Sequence, residues 1–449
     1  MTRPGRIALA CAVVAGAFAL PARTAGAASP PTKLVKGPYV SAFTDTSADV
    51  RFELDAPGPA TVEVTAAAAG TPPARFADAT VTATHLVHVT GLQASKSYAY
   101  SVLLGPQVVG RGNVTAAPDP AGGVPFRFIV YGDSRSDSAT HEAIVRAVQA
   151  TPSDFLLNTG DIVAEGGSAG DWQTFFSIEA PLLRERPLLL CIGNHELYED
   201  EAAGNFSHYF GFPDASGAQK PYGSARIGNT RLFFLNGMHD WSSGEERAWL
   251  DRELARADAE PGLVWRMVVV HYSPWSAGPH GGNQRFLAAH LPELLGAHKV
   301  DLLFAGHDHI YERGDGSPLK YIISGGGGAP LYKISSPTAQ TRKAEATYHF
   351  VEVAVTPTEV RTIAHRLDGT VLDKCGFQKG QPWDCDVVPA PAPVAAPPPA
   401  APAPSTSSSR CAVAAPGAGG AVPGQVAVVA LLLGGALARA RRRRADFRG

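Results

Sequence analysis

The sequence predicts an all-β sandwich followed by an α/β domain of layered sheets and helices, with a C-terminal transmembrane helix. Three observations carry this reading. Residues 33–117 show period-two alternation, clearest in Ser97-Tyr98-Ala99-Tyr100-Ser101-Val102, as expected of a strand with one buried face. Residues 124–366 alternate short, uniformly apolar runs with helical stretches, the pattern of strands covered on both faces. Residues 421–438 are apolar apart from Gln425, near the lower length limit for spanning a bilayer.

Taken in chain order, Arg3 and Arg6 precede an apolar run at 7–20, and Ala25-Gly26-Ala27 offers small residues for cleavage, so 1–27 reads as a signal peptide. The β unit opens at Gly37-Pro38-Tyr39-Val40. Leu86, Val87 and Val89 precede a turn at Thr90-Gly91-Leu92. The α/β domain spans 124–387. Its expected strands are 126–131, 155–158, 188–192, 232–235, 267–270 and 302–305. Helices are expected at 138–150, capped by Asp137 or Ser138, and at 245–257. Residues 388–410 are mostly Pro, Ala and Ser, an extended tether. Arg439 and Arg441 to Arg444 follow the final apolar run, which places that end in the cytoplasm and the rest of the chain outside. Cys375 and Cys385 close a short loop in a chain read as exported, which predicts a disulfide, and Cys191 reads as a buried free thiol.

Charge narrows the partners. The formal net charge is -2, but the two ends are basic; without 1–27 and 439–449 there remain 30 basic and 40 acidic residues. An acidic surface lacks the cationic footprint that nucleic-acid binding requires, so no nucleic-acid partner is expected.

Chemistry collects after the apolar runs. They lead into Gly132-Asp133-Ser134-Arg135, Gly160-Asp161, Gly193-Asn194-His195-Glu196, His271 and Gly306-His307-Asp308-His309. The carboxyl ends of strands are where open α/β sheets place ligands. Singly, each piece has a plain reading: a Gly-Asp is usually a turn, and a His after a strand is usually a satisfied core residue. Together they supply two Asp, one Asn and three His, a mixed oxygen and nitrogen set suited to Zn, Mn or Fe.

This order resembles that of the calcineurin-like metallophosphoesterases. Val270-His271-Tyr272-Ser273-Pro274-Trp275 and Gly306-His307-Asp308-His309-Ile310-Tyr311-Glu312-Arg313 are similar to the purple acid phosphatase forms, and residues 33–117 resemble the fibronectin type III-like domain that precedes them. The resemblance implies an α/β/β/α sandwich holding two divalent or trivalent ions. Asp161 would bridge them, Asp133 and His309 would complete the first position, and Asn194, His271 and His307 the second. It also implies hydrolysis of small phosphorylated substrates, acid phosphatase-like and most readily monoesters, by a metal-activated hydroxide. His195 would be the general acid that protonates the leaving oxygen. Arg135 would offer a forked donor to phosphate oxygens or form a structural salt bridge. His280, in a Gly-Pro-His-Gly-Gly loop, would contact substrate or face solvent. Glu196 would orient His195, tune the ligands or cap a turn.

Two departures stand out. The tyrosine that purple acid phosphatases carry three residues after the bridging Asp is Ala164 here, and the Asp-X-His of other metallophosphoesterases is Asp133-Ser134-Arg135. Arginine stays protonated and cannot ligate a metal. The first position therefore has three evident protein ligands, with Asp137 and His141 as nearby candidates for a fourth. Asp308 is expected to point away from the ions, and the glycines of 325–328 to bring backbone close to the site or to support the closing strands. A phosphodiesterase or nucleotidase and a non-catalytic surface module that binds phosphate or a partner are the alternatives. Cys411, the apolar run and the Arg cluster resemble the C-terminal sorting segments of myxobacterial surface proteins, which implies a cell-surface or outer-envelope location anchored to the membrane at the C-terminus.

Overall fold

Two long strands, Ser47–Val64 and Ala74–Thr90, shape the N-terminal unit. Their register shifts between Glu53 and Gly58, and each strand is long enough to serve in two layers. The first half of Ser47–Val64 pairs with Leu34–Phe43 and with the end of Ala74–Thr90. Its second half pairs with the start of Ala74–Thr90 and with Ser97–Leu104, which pairs with Gln107–Thr115. Five strands thus supply seven strand segments, three in one layer and four in the other. Val50, Phe52, Val62, Tyr100 and Val102 fill the space between. The alternation at 97–102 is that of Tyr98, Tyr100 and Val102 facing inward.

The coordinates form a computed structural model that describes residues 30–65, 72–239, 241–317 and 319–385. The expected signal peptide, tether and C-terminal segment with Cys411 lie outside the described residues. Among the described residues, no helix is long and apolar enough to cross a membrane.

The α/β part contains two sheets. The first has the order Val371–Gln378, Glu359–Arg366, His349–Val355, Phe126–Tyr131, Phe155–Asn158, Leu188–Leu190. The second has the order Gly223–Ile227, Thr230–Leu235, Trp265–Val270, Leu302–Ala305, Lys320–Ser324, Tyr311–Asp315, Thr341–Glu345. Apolar side chains on both faces of the central strands produce the layering. Phe128, Val130, Phe155 and Leu157 face Met267, Val269, Leu302 and Phe304 between the sheets. Ile129, Tyr131 and Leu156 point the other way, onto helices Ser138–Gln149 and Ala169–Leu183. Val268, Val270 and Leu303 meet helices Glu245–Asp258 and Leu291–Ala297. The result is helix, sheet, sheet, helix. Truncating a side chain such as Phe128, which stacks on Phe155 at 4.9 Å and meets Phe304 edge-on at 5.8 Å, would cost about 3–5 kcal/mol.

The third expected strand is shorter than 188–192. It ends at Leu190, because Cys191 and Ile192 already belong to the loop that carries Gly193 and Asn194. Cys375 and Cys385 form the expected disulfide, which closes the end of the last strand, and Cys191 is free and buried.

The β sandwich is tied to the α/β part by a buried arginine. Arg51 donates to the carbonyls of His208 at 2.7 Å and Gly211 at 3.3 Å, to Gln219 Oε1 at 2.9 Å and to Ser41 Oγ at 2.7 Å. Tyr39 donates to the Tyr209 carbonyl at 2.9 Å. These contacts fix helix Gly204–Phe210 and the loop that descends to it from His195.

Candidate metal centre

Parallel strands deliver the polar residues to one edge. Phe126–Tyr131, Phe155–Asn158 and Leu188–Leu190 run side by side, as do Trp265–Val270 and Leu302–Ala305. Their carboxyl ends therefore open toward the same place. The chain leaves them sharply. Asp133, Asp161 and His307 have φ of +56°, +57° and +69°, a left-handed backbone that side chains larger than glycine adopt at a cost of about 1–3 kcal/mol. Gly160, at φ +94°, has no room for a Cβ, which would meet Gly193 N at 2.8 Å and His271 Nδ1 at 3.0 Å.

Asp161 lies at the centre. Its Oδ1 is 3.3 Å from His271 Nε2 and accepts from His195 N at 3.0 Å, and its Oδ2 accepts from Arg135 Nε at 3.2 Å. Asn194 Oδ1 is 3.2 Å from His271 Nε2, and Asp133 Oδ1 is 4.0 Å from it. Ligating atoms of Asp161, His271 and His307 all fall within 4.8 Å of one another. Asp133 also accepts from His307 N at 3.1 and 3.0 Å, and its Oδ1 is 3.5 Å from His309 Nε2.

Three histidines are oriented through Nδ1. His271 meets the Thr159 carbonyl at 2.8 Å, His309 the Pro330 carbonyl at 2.7 Å, and His195 the Ala164 carbonyl at 2.6 Å. A carbonyl can only accept, so each ring carries its proton on Nδ1 and turns Nε2 into the site. For His271, Nε2 faces oxygens of Asp161 and Asn194, a place for a cation that the ring's second proton or a metal ion fills. The electrostatics agree. Burial alone would lower the His271 pKa, but the Asp161 and Asp133 carboxylates push it up to about 9. Burial would raise the Asp161 carboxyl, but His271, His195 and Arg135 hold it well below the usual range. The donor set and its charge therefore fit a metal ion.

Several expectations left open are decided here. Asp137 and His141 take no part in the site. Asp137 caps the helix, accepting from Ala139 N and Thr140 N at 3.1 and 3.2 Å. The first turn of that helix buries His141 away from the strand ends, against Glu179 Oε1 at 2.7 Å. Glu196 does not orient His195, whose ring is held by the Ala164 carbonyl. Instead its buried carboxylate accepts from the backbone of Gly193, Asp161, Ile162 and Val163 at 2.6, 3.0, 2.8 and 3.3 Å. The glycine run supports strand ends: Gly327 N donates to the Gly132 carbonyl at 2.9 Å, and Ala329 N to the Asp133 carbonyl at 2.7 Å.

Asp308 and His280 are joined here, and Tyr332 becomes visible only in the structure. Asp308 points away from the ligand cluster, and it accepts from Ser276 Oγ and from His280 Nδ1 at 2.8 Å. His280 is thereby placed with its ring centroid 4.2 Å from that of His307. Tyr332 stacks on His309 at 4.1 Å, and Tyr272 packs on His307 at 4.1 Å. Tyr332 follows the glycine run by a few residues in a loop with no periodic pattern, so no local signal marks it.

Residues 126–311 match the calcineurin-like phosphoesterase family. The chain carries a calcineurin-like metallophosphoesterase domain. Residues 31–120 match a domain of unknown function, DUF7800. Probable purple acid phosphatase 20 of Arabidopsis thaliana is 27% identical over 289 residues, covering 59% of this chain and 66% of the relative. Among solved structures, the purple acid phosphatase PPD1 of yellow lupin (Lupinus luteus) seeds aligns with a TM-score of 0.64 at 17% identity, covering 76% of this chain and 74% of that one. The structure of PhoD aligns with a TM-score of 0.58 at 11% identity, covering 78% and 91%. The chain spans half to two thirds of the length of the first curated relatives it matches. At these identities the two structures establish a shared fold. The N-terminal β-rich unit followed by a metallophosphoesterase fold is therefore common to the sequence reading and the structure.

Proposed function

We propose that this metallophosphoesterase hydrolyses phosphomonoesters at the edge where Asp133, Asp161, Asn194, His271, His307 and His309 meet. The observation that carries this is His271 Nε2, turned into the site by the Nδ1 bond to the Thr159 carbonyl and set 3.3 Å from Asp161 Oδ1 and 3.2 Å from Asn194 Oδ1. Asp161, Asn194, His271 and His307 are the residues for one ion, of Fe, Mn or Zn. Asp133 and His309, with Asp161, are those left for the second ion that the family resemblance implies. Bound ions of this kind supply Lewis acidity, lowering the pKa of water and polarising the phosphoryl group.

The chain's own residues do the rest. His195, held by the Ala164 carbonyl, presents Nε2 3.8 Å from Asp161 Oδ2; burial lowers its pKa, and in its imidazolium form, with a proton on Nε2 as well, it would protonate the leaving oxygen. Arg135 turns its guanidinium edge toward the same carboxylate and has N–H groups to offer phosphoryl oxygens. His280, half exposed beside His307, takes a contact with the substrate at the rim. The sequence features at the two ends support an exported protein held at the cell surface by its C-terminus.

The test uses the full chain, stripped of metal and reconstituted separately with Mn, Zn or Fe. Hydrolysis of p-nitrophenyl phosphate in preference to bis-p-nitrophenyl phosphate, only with metal, is the expected result. A preference for the diester would replace the monoesterase reading, and metal-independent or absent turnover of both would remove the catalytic one.

A further inference from the structure

The two halves of the candidate centre differ in a way the motif order does not reveal. Around His271 Nε2, the neighbours are the Asp161, Asn194 and Asp133 oxygens, all acceptors. Around His309 Nε2, one neighbour is an acceptor, Asp133 Oδ1 at 3.5 Å, and the other is a donor at the same distance. His309 Nδ1 donates to the Pro330 carbonyl, which turns Nε2 toward Arg135 Nη2, 3.5 Å from it. The same guanidinium reaches Asp161 Oδ2 through Nε at 3.2 Å. Asp161 therefore divides its two oxygens as a bridging carboxylate would: Oδ1 toward the His271 half, Oδ2 toward Arg135.

We infer that the Arg135 guanidinium, lying between Asp161 Oδ2 and His309 Nε2, takes the place of the second metal ion, so that the protein carries one ion per chain. The inference rests on the proposed function only in requiring that the His271 half hold an ion. Arginine suits the position because it is permanently protonated and more weakly hydrated than an ammonium. It is also secured on the side away from Asp161. Nη1 donates to Ser136 Oγ at 3.2 Å, and the ring of Tyr332 stacks on His309, the other group the guanidinium meets. The side chain is mostly buried, so swinging clear would break these contacts. A dication entering between Asp133, Asp161 and His309 would meet a fixed positive charge and would have three protein ligands. Two carboxylates opposed by one dication and one guanidinium leave a site of modest positive charge, matched to a phosphate ester.

The deciding measurement is metal stoichiometry. Full-length protein equilibrated with excess Mn²⁺, desalted and analysed by elemental mass spectrometry should hold one ion per chain. Its electron paramagnetic resonance spectrum should be the six-line pattern of isolated Mn²⁺. Two ions with a spin-coupled multiline spectrum would overturn the inference while leaving the metallophosphoesterase reading intact. No bound ion would overturn both. Arg135→His, which restores a ligand and removes the cation, should raise the content from one ion to two and introduce spin coupling. Unchanged stoichiometry in a folded variant would show that the guanidinium is not what excludes the second ion. If that variant does not fold, the wild-type count and spectrum still decide.

Discussion

The Glu196 carboxylate accepts the backbone N–H of Asp161 at 3.0 Å, and so joins the loop after one strand to the loop after the next. The same two oxygens take Gly193 N, Ile162 N and Val163 N. One buried side chain thus sets the separation between Asp161 and Asn194, although it faces neither a substrate nor an ion.

Glu196→Gln replaces one acceptor oxygen with an amide that must confront N–H donors. The expected loss is about 1–3 kcal/mol. It is accompanied by weaker metal retention, because Asp161 and Asn194 lose their common anchor. Thermal unfolding and metal content after dialysis check this. An unchanged melting temperature with unchanged metal retention would remove the anchoring role.

His195→Ala should leave metal content intact, since its ring is fixed by the Ala164 carbonyl and offers no needed ligand. Turnover of alkyl phosphates should fall on the order of 10²–10⁴-fold, and turnover of p-nitrophenyl phosphate much less, because nitrophenolate leaves without a proton. Equal losses on both esters would argue against proton donation.

His280 and Asp308 should act as a unit. Asp308 Oδ1 holds His280 Nδ1 at 2.8 Å and its backbone N at 3.3 Å. His280→Ala should raise KM more than it lowers kcat. Asp308→Asn should reproduce part of that rise, and the double variant should resemble His280→Ala alone. Additive effects would mean that the two residues work independently.

His349 supplies a pH dependence away from the metal ligands. Burial lowers its pKa from 6.5 to about 4, with the Thr347 carbonyl opposing. The unfolded chain then binds a proton below pH 6.5 that the native state refuses. Stability from this group is complete above pH 6.5 and is lost as pH falls toward 4, by at most about 3 kcal/mol. The melting temperature of the wild type should drop between pH 7 and 5 by more than that of His349→Asn. Equal drops would assign the acid sensitivity to other groups.

Much of the candidate site was legible because the residues proposed to hold metal sit where strands end, and strand ends are marked locally by an apolar run, often a glycine, and a polar residue. Asp133, Asp161, Asn194 and His307 follow such a glycine, His271 follows its apolar run directly, and the structure brings Asp161, His271 and His307 within 4.8 Å of one another. What was illegible depends on orientation. Asp137 and His141 lie only four and eight residues after Asp133 in sequence, yet the helix they begin turns them toward its own cap and toward Glu179. Glu196 is adjacent to His195 but bonds to loops on its other side. Tyr332 and the Pro330 carbonyl reach the site from a loop without pattern.

By itself the sequence determined the order of the units, the two-faced burial of the central strands, the closing disulfide and the identity of the candidate ligands. These follow from side-chain polarity and spacing, which act along the chain. Only the tertiary structure decided which nitrogen of each histidine faces inward, which carboxylate oxygen meets which cation, and that Arg135 stands between Asp161 and His309. Those outcomes depend on contacts between residues as far apart as positions 135 and 309, and on where the backbone carbonyls of Thr159, Ala164 and Pro330 point once the sheets are packed.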